Sequence, residues 1–265
     1  MEKIGYLGPE GSYSFIAAKA LRPNAELITR SGFPAVFALL ASGEADGAVV
    51  PIENSLNGGV MQNIDLLQYS ENICATEEYT VKIDHRLVTR VGADLSGIKC
   101  IYSHAQALEQ CAGYLYKNFP SARLISTGST AASLDMVKDS TDAAIAGAHT
   151  KREGLVLSPE NIADEENNFT HFLLLRRGAV PVSPSRRIFF SAECPNKSGA
   201  LLTLLNLISV HGINMTKLQS RPIKNRPEQY RFFIEIEGDY SSAATRSALK
   251  EIAGSVAAFK LLGSY

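Results

Sequence analysis

The sequence predicts an α/β protein of two lobes, followed by a small α+β domain of ferredoxin-like βαββαβ order. Three observations carry this expectation. A strand–helix–strand–helix–strand order occurs twice in the first 150 residues. The stretch Arg176 to Ser185, RRGAVPVSPS, holds two prolines, a glycine and two serines, which punctuate rather than extend regular structure. About 80 residues follow it, the size of a small domain. The expected organisation is a first, α/β region at 1–178, a linker at 179–185 and a second domain at 186–265.

The first copy begins with the apolar run Lys3 to Leu7, the loop Gly8 to Ser12 and a helical pattern through Leu21. A strand at Glu26 to Thr29, a helix from Pro34 to Ala41 and a strand at Gly47 to Pro51 complete it. The second copy has Ile98 to Tyr102, the loop Ser103 to Gln106, a helix through Tyr116, a strand at Arg123 to Ser126, a helix from Thr130 to Val137 and a strand at Ala143 to Ala146. Aspartate precedes the third strand in both, at Asp46 and Asp142. This order argues for two parallel-sheet lobes by duplication. Ligands of such folds lie between the lobes, at the carboxyl ends of the strands. Several loops there run straight into helices, whose first N–H groups take carboxylates without needing arginine.

The last domain reads as a strand at Arg187 to Glu193, a helix at Gly199 to Val210, and strands at Ile213 to Ile223 and Tyr230 to Glu237 around the turn-rich Lys224 to Glu228. A helix at Ser241 to Ala253 and a strand at Val256 to Leu262 end the chain. Such a sheet has helices on one face, which leaves its other face or an edge for dimerisation.

Lysine and arginine total 26 against 27 aspartates and glutamates, which gives no electrostatic reason to expect nucleic acid or an anionic membrane as partner. Met1 to Ala18 has no basic start followed by an apolar core, and no apolar run reaches a membrane span. A cytoplasmic chain is expected. Cys74, Cys100, Cys111 and Cys194 form no C-x-x-C pair and the histidines no H-x-x-x-H pair, so buried free thiols and no metal site are expected. No G-x-G-x-x-G or G-x-x-x-x-G-K occurs, which argues against nucleotide binding.

Six strings in order resemble the prephenate dehydratase family, covering nearly the whole chain. They are Gly5 to Ser14, GYLGPEGSYS; Ala48 to Ser55, AVVPIENS; Tyr102 to Gln106, YSHAQ; Ser129 to Ala132, STAA; Asn168 to Phe172, NFTHF; and, past the linker, Gly199-Ala200-Leu201 with Gln219-Ser220-Arg221-Pro222. The resemblance implies a catalytic domain like a type 2 periplasmic binding protein plus an ACT domain. It implies prephenate as substrate, phenylpyruvate, carbon dioxide and water as products, no metal or organic cofactor, and L-phenylalanine as allosteric effector. A homo-oligomer, dimer or tetramer, through the ACT domains is expected. Two departures stand out: His171 where the family has arginine, and Gln219 where it has glutamate.

Loss of the ring carboxylate and hydroxyl of prephenate makes an aromatic ring, so the protein's tasks are orientation and proton donation. Thr170, in the block similar to the family's T-R-F, is the expected donor to the departing hydroxyl. Asn54 and Ser55, in a polar loop after a strand, are expected to orient substrate, although ordinary turns use the same residues. Glu53 would repel a dianion and is expected to brace the loop or share a proton. Gly11 and Ser12, Ser103, His104 and Gln106, Ser129 and Thr130 complete the expected substrate contacts. His171 would bind carboxylate less well than guanidinium, with Lys82, Arg86 or Lys151 compensating. Phenylalanine is expected on Asn196, Gly199, Ala200 and Leu201 at a helix start, and on Gln219, Ser220, Arg221 and Pro222. The competing functions on this scaffold are a prephenate decarboxylase, an arogenate dehydratase and a two-lobed small-anion binding protein.

Overall fold

The computed structural model describes residues 1–224, 226 and 228–265, so the expected turn at Lys224 to Glu228 lies partly outside the described residues. They divide into two compact units: Met1–Met61 with Tyr79–Phe172, and Gln62–Glu78 with Leu173–Tyr265. These units are not the two sides of the expected linker, because residues 62–78 group with the C-terminal part.

The first unit opens with β1 (Lys3–Leu7), α1 (Tyr13–Leu21), β2 (Glu26–Arg30), α2 (Phe33–Ser42), β3 (Gly47–Asn54) and the short β4 (Gly58–Gly59). The chain then enters the other unit through α3 (Met61–Tyr69) and returns along β5 (Ile73–Lys82). The second lobe holds β6 (His85–Arg90), β7 (Cys100–Ser103), α4 (Ala105–Gln110), α5 (Ala112–Asn118), β8 (Arg123–Ser126), β9 (Asp142–Gly147) and β10 (Leu155–Leu157). β11 (Phe169–Arg177) leads out of it.

The duplication is visible in the sheets. β1 pairs in parallel with β2 and β3, and β7 pairs in parallel with β8 and β9, so each lobe repeats the same three-strand order. The first lobe continues β11-β3-β1-β2 and the second β10-β6-β9-β7-β8. With the chain crossing between lobes twice, this is the two-lobed arrangement the resemblance implies. Strands buried on both faces read as unbroken apolar runs, as at Ala48-Val49-Val50 and Ala143 to Ala146, all at most 1 % exposed.

Two helices of the second copy depart from expectation. The helix expected through Tyr116 is interrupted at Cys111, a buried residue between α4 and α5 at φ −117° and ψ 13°. The helix expected at Thr130 to Val137 is a single 3₁₀ turn, Ala132–Met136. Ser133 explains it, since its hydroxyl donates back to Thr130 O at 2.6 Å and competes with the α-helical pattern.

The second unit contains β12 (Arg187–Glu193), α6 (Ala200–Val210), β13 (Met215–Pro222), β14 (Tyr230–Glu237), α7 (Ala243–Ser255) and β15 (Ala258–Ser264). Its strand order, β13-β14-β12-β15, is that of the expected βαββαβ domain. Ile188, Phe190, Ala192, Ile234 and Ile236 pack under Leu204 and Ile208 of α6 and Leu249 and Ile252 of α7.

The far face or an edge was expected to be left for a partner. The far face carries α3, held there by one side chain from each of the four strands, and β13 stands at the edge. Arg221 of β13 meets both carboxylate oxygens of Asp65, at 3.2 and 2.5 Å. Ser191 of β12 donates to Gln68 at 2.6 Å, and Arg231 of β14 to the Tyr69 hydroxyl at 3.1 Å. Lys260 of β15 donates to the carbonyls of Leu67, Gln68 and Ser70 at 3.0, 2.6 and 2.7 Å, which satisfies the helix's C-terminal end.

Candidate active site

A cleft of about 410 Å³ opens within the first unit, lined from both lobes. Strand ends and helix starts build it. Gly8, Ser12 and Tyr13 follow β1; Ser31 and Phe33 follow β2; Pro51 and Asn54 end β3. His104, Gln106, Ala107 and Gln110 follow β7, and Gly128, Ser129 and Thr130 follow β8. Thr170 and Phe172 come from β11. Gly8 is required where it stands, since a Cβ there would come within 1.9 Å of Thr29 Oγ1.

The helix starts face this space differently. Ser12 caps α1, accepting from Phe15 N at 3.2 Å, and His104 caps α4, accepting from Gln106 N at 3.3 Å. Ser129 accepts from Ala132 N at 3.0 Å. The start of α2, at Gly32, has no side-chain cap. Among the described residues no lysine, arginine, aspartate or glutamate lines the cleft.

Thr170 sits at the floor, 9 % exposed, in a buried chain of amides. The polarity of that chain is fixed by backbone. Leu56 N and Asn57 N both donate to Asn54 Oδ1 at 3.1 Å, so Asn54 Nδ2 is the donor end. It donates to Thr170 Oγ1 at 3.0 Å, to Asn168 Oδ1 at 2.8 Å and to Phe169 O at 3.1 Å. Asn168 Nδ2 therefore donates onward to Gln110 Oε1 at 3.1 Å, and Gln110 Nε2 donates to Asn57 Oδ1 at 2.9 Å. Gln110 Oε1 also meets His85 Nε2 at 2.9 Å, which makes that nitrogen the protonated one in neutral imidazole. His85 Nδ1 is then a buried acceptor without a partner. Burial holds the His85 pKa below its ordinary value, against the opposing pull of Gln110 and Asp84.

A family model described as prephenate dehydratase matches residues 4–179. The chain belongs to the prephenate dehydratase family. A prephenate dehydratase of Lactococcus lactis subsp. cremoris is 35 % identical over 272 residues, spanning 99 % of this chain and 97 % of that protein. The solved structure of a prephenate dehydratase from Arthrobacter aurescens, in complex with L-Phe, aligns with a TM-score of 0.89 at 30 % identity, covering 99 % of this chain and 89 % of that one. GqqA, described as a novel type of quorum quenching acylase, aligns with a TM-score of 0.87 at 25 % identity, covering 100 % of this chain and 97 % of that one.

Of the residues expected in this prephenate dehydratase family member's cleft, Ser12, Asn54, His104, Gln106, Ser129, Thr130 and Thr170 line it together. Gly11, Ser55, Ser103 and His171 do not. Gly11 carries the loop at φ 80°, and its carbonyl accepts from His149 Nε2 at 2.7 Å. Ser55 clamps β11, accepting from Phe169 N at 2.9 Å and donating to Asn167 O at 3.1 Å. Ser103 is fully buried and donates to Ile145 O at 2.8 Å. His171 follows Thr170 on a strand, so it takes the opposite face, and its Nδ1 lies 2.9 Å from Thr80 Oγ1. Lys82, Arg86 and Lys151 do not line the cleft either; Arg86 is held by Asp84 at 2.6 and 2.7 Å. Glu53 pairs in register with Gly59 of β4 and braces the loop from outside the cleft.

Tyr13, His85 and Gln110 are among the cleft residues that went unread in the sequence. Gln110 had a signal, being four residues after Gln106 on one helix face, and both amides reach Asn57. Tyr13 has its hydroxyl taken at both ends, donating to Asp84 O at 3.0 Å and accepting from Asp84 N at 3.2 Å. Its proton is thus committed to Asp84 O rather than to the cleft, and burial raises its pKa far above the ordinary value.

In the second unit, Gly199 begins α6 at φ 79°, with Asn196 exposed in the loop before it. Gln219 and Ser220 point to opposite faces of β13, and Arg221 is engaged by Asp65. Among the described residues no group of three or more histidine, cysteine, aspartate or glutamate side chains is placed to hold a metal. No helix among them is long and apolar enough to cross a membrane.

Proposed function

We propose that the chain carries out the reaction of its family, decarboxylative dehydration of prephenate to phenylpyruvate, carbon dioxide and water, in phenylalanine synthesis in the cytoplasm. In enzyme classes this is a carbon–oxygen lyase. The observation that carries the mechanism is the 3.0 Å bond from Asn54 Nδ2 to Thr170 Oγ1. Thr170 accepts there, so its own proton is free to point at the departing hydroxyl, and no described residue takes it. As the ring carboxylate leaves, the electron pair of its C–C bond enters the ring, and the C–O bond opposite breaks toward that donated proton.

The dianion is met without a cation. Carboxylates are received by hydroxyls, amides and helix starts contributed by both lobes, with the uncapped start of α2 among them. The rings of Phe33 and Phe172 give the apolar substrate ring its walls. The gatekeeping task is exclusion of water from a site whose donors are already oriented.

The effector reading is that L-phenylalanine binds the second unit at Asn196, Gly199, Ala200 and Leu201, with Gln219, Ser220, Arg221 and Pro222 of an adjoining copy. Supporting a homo-oligomer, β13 is an edge strand carrying Leu218 at 41 % exposure, and α6 carries Leu202 at 59 %.

The likeness to an acylase raises acyl transfer as a second reading. Among the described residues the cleft holds no hydroxyl bonded to an imidazole, the pairing such a nucleophile needs. Incubation with prephenate, with and without L-phenylalanine, tests the proposal: phenylpyruvate should form and phenylalanine should change its rate. A non-aromatic keto acid, no turnover, or turnover of arogenate in preference sinks it.

A further inference from the structure

Asn168 is fully buried and does not line the cleft, yet both halves of the polar network pass through its one carboxamide. Its Oδ1 accepts from Asn54 at 2.8 Å on the first-lobe side. Its Nδ2 donates to Gln110 at 3.1 Å on the second-lobe side. Its own backbone carbonyl takes Ile83 N at 2.8 Å, where the chain crosses between lobes. The backbone is thus tied, and the side chain can serve Asn54 and Gln110 only by offering one acceptor and one donor at the same reach.

We infer that Asn168 is a positioning residue for the reaction, aligning Thr170 through Asn54 and Gln110 through its own amide. The inference rests on the reading of Thr170 as proton donor and adds to it. Asn54 Nδ2 has two hydrogens and three acceptors at 2.8, 3.0 and 3.1 Å. Asn168 takes the shortest of these and fixes the plane in which the remaining hydrogen meets Thr170. Take that acceptor away and the Asn54 amide, still held at Oδ1 by Leu56 N and Asn57 N, can rock its Nδ2 donors toward Phe169 O and loosen its hold on the Thr170 hydroxyl. On the other side Gln110 would lose a donor and be free to reverse its amide, which would also reverse the hydrogen-bonding role of His85.

The chemistry of the amide gives a test that mere packing does not pass. Aspartate has the same shape. Ionised, it offers two acceptors and faces Gln110 Oε1 with a repulsion; protonated, it again offers one acceptor and one donor. Prephenate turnover is measured for Asn168→Ala and Asn168→Asp as full-length chains, with folding followed by circular dichroism. Asn168→Ala should lose about tenfold or more in kcat with KM within about threefold. Asn168→Asp should be impaired near pH 8 and recover as pH falls, along a limb that the native chain lacks. His85 is the titratable group already in the network, and it titrates in both proteins. In a Thr170→Ala background, Asn168→Ala should add less than about threefold, because its route to the reaction is already gone.

The inference fails if folded Asn168→Ala and Asn168→Asp both keep kcat within about twofold between about pH 6 and 9, or if the two losses multiply in the double variant. Should Asn168→Ala not fold, the isosteric Asn168→Asp decides by its pH profile alone. If Thr170→Ala by itself turns over normally, the proton-donor reading has failed and takes the inference with it. If Thr170→Ala is crippled and both Asn168 variants are not, the inference alone is wrong.

Discussion

Asn54 holds Thr170 by its hydroxyl oxygen, at 3.0 Å, and not by its proton. A threonine hydroxyl is a weak acid, and in the proposed mechanism this direction of bonding is what suits it to donate: the amide would support charge growing on oxygen and leave the hydroxyl hydrogen for the substrate. The cost of losing it follows from that geometry.

Thr170→Ala should keep the fold and lose about 10²–10⁴ in kcat, with KM for prephenate nearly unchanged, since the interaction strengthens only in the transition state. Thr170→Ser should retain part of the activity. Stopped-assay phenylpyruvate formation checks both, and a Thr170→Ala chain within a few-fold of native sinks the mechanism.

His171→Ala should leave kcat, KM and their pH dependence unchanged, because the imidazole faces away from the cleft toward Thr80. On stability it should cost about 0.5 kcal/mol, the scale of a partly exposed contact. A rise in KM would show that the side chain reaches substrate after all.

Prephenate affinity should be flat between about pH 8 and 11, a range in which a lysine-lined site would weaken as its ammonium, of ordinary pKa about 10.4, is lost. Among the described residues that line the cleft there is no lysine or arginine to titrate. Calorimetry of the slow Thr170→Ala variant against prephenate measures this directly, and a steep fall in affinity would mean a cation enters the site.

Acid should destabilise the chain below about pH 6.5, ahead of the carboxylates. Burial lowers the folded-state pKa of His85, and of His149, so below that pH the unfolded chain binds protons the folded one refuses. Stability is complete above the unfolded value and is lost as pH falls toward the folded one. His85→Gln should flatten this slope in urea unfolding; an identical slope would assign the loss elsewhere.

Lys260→Met should weaken the second unit by about 1.5–3 kcal/mol, the scale of hydrogen bonds to a charged group. Three carbonyls at the end of α3 lose their donor together. An unchanged urea midpoint would mean water replaces the ammonium without loss.

Much of this molecule was legible because its signals are local. Period-two runs and loop residues gave β8, β12 and β14 at their observed bounds, and the two copies gave the lobes. The face of His171 was legible as well, had alternation been applied: neighbours on a strand take opposite faces, whereas Thr170 and Phe172, two apart on β11, both line the cleft. What local pattern does not contain is the partner of α3. Its four ties, Arg221, Ser191, Arg231 and Lys260, arrive from between about 120 and 190 residues away. The interruption at Cys111 and the back-bonding of Ser133 are likewise features that periodicity does not register.

The placement of α3 bears on how such chains can be recombined. A gene shuffled at 179–185 exchanges the sheet but leaves behind the helix that the sheet was matched to. Asp65, Gln68 and Tyr69 would then meet foreign side chains where they now meet one from each strand. A working chimera must carry residues 62–78 with the donor sheet, as a discontinuous graft of two pieces. Libraries cut only at the linker should therefore be poor in folded members, and those with the paired segments richer, whichever effector the grafted domain recognises.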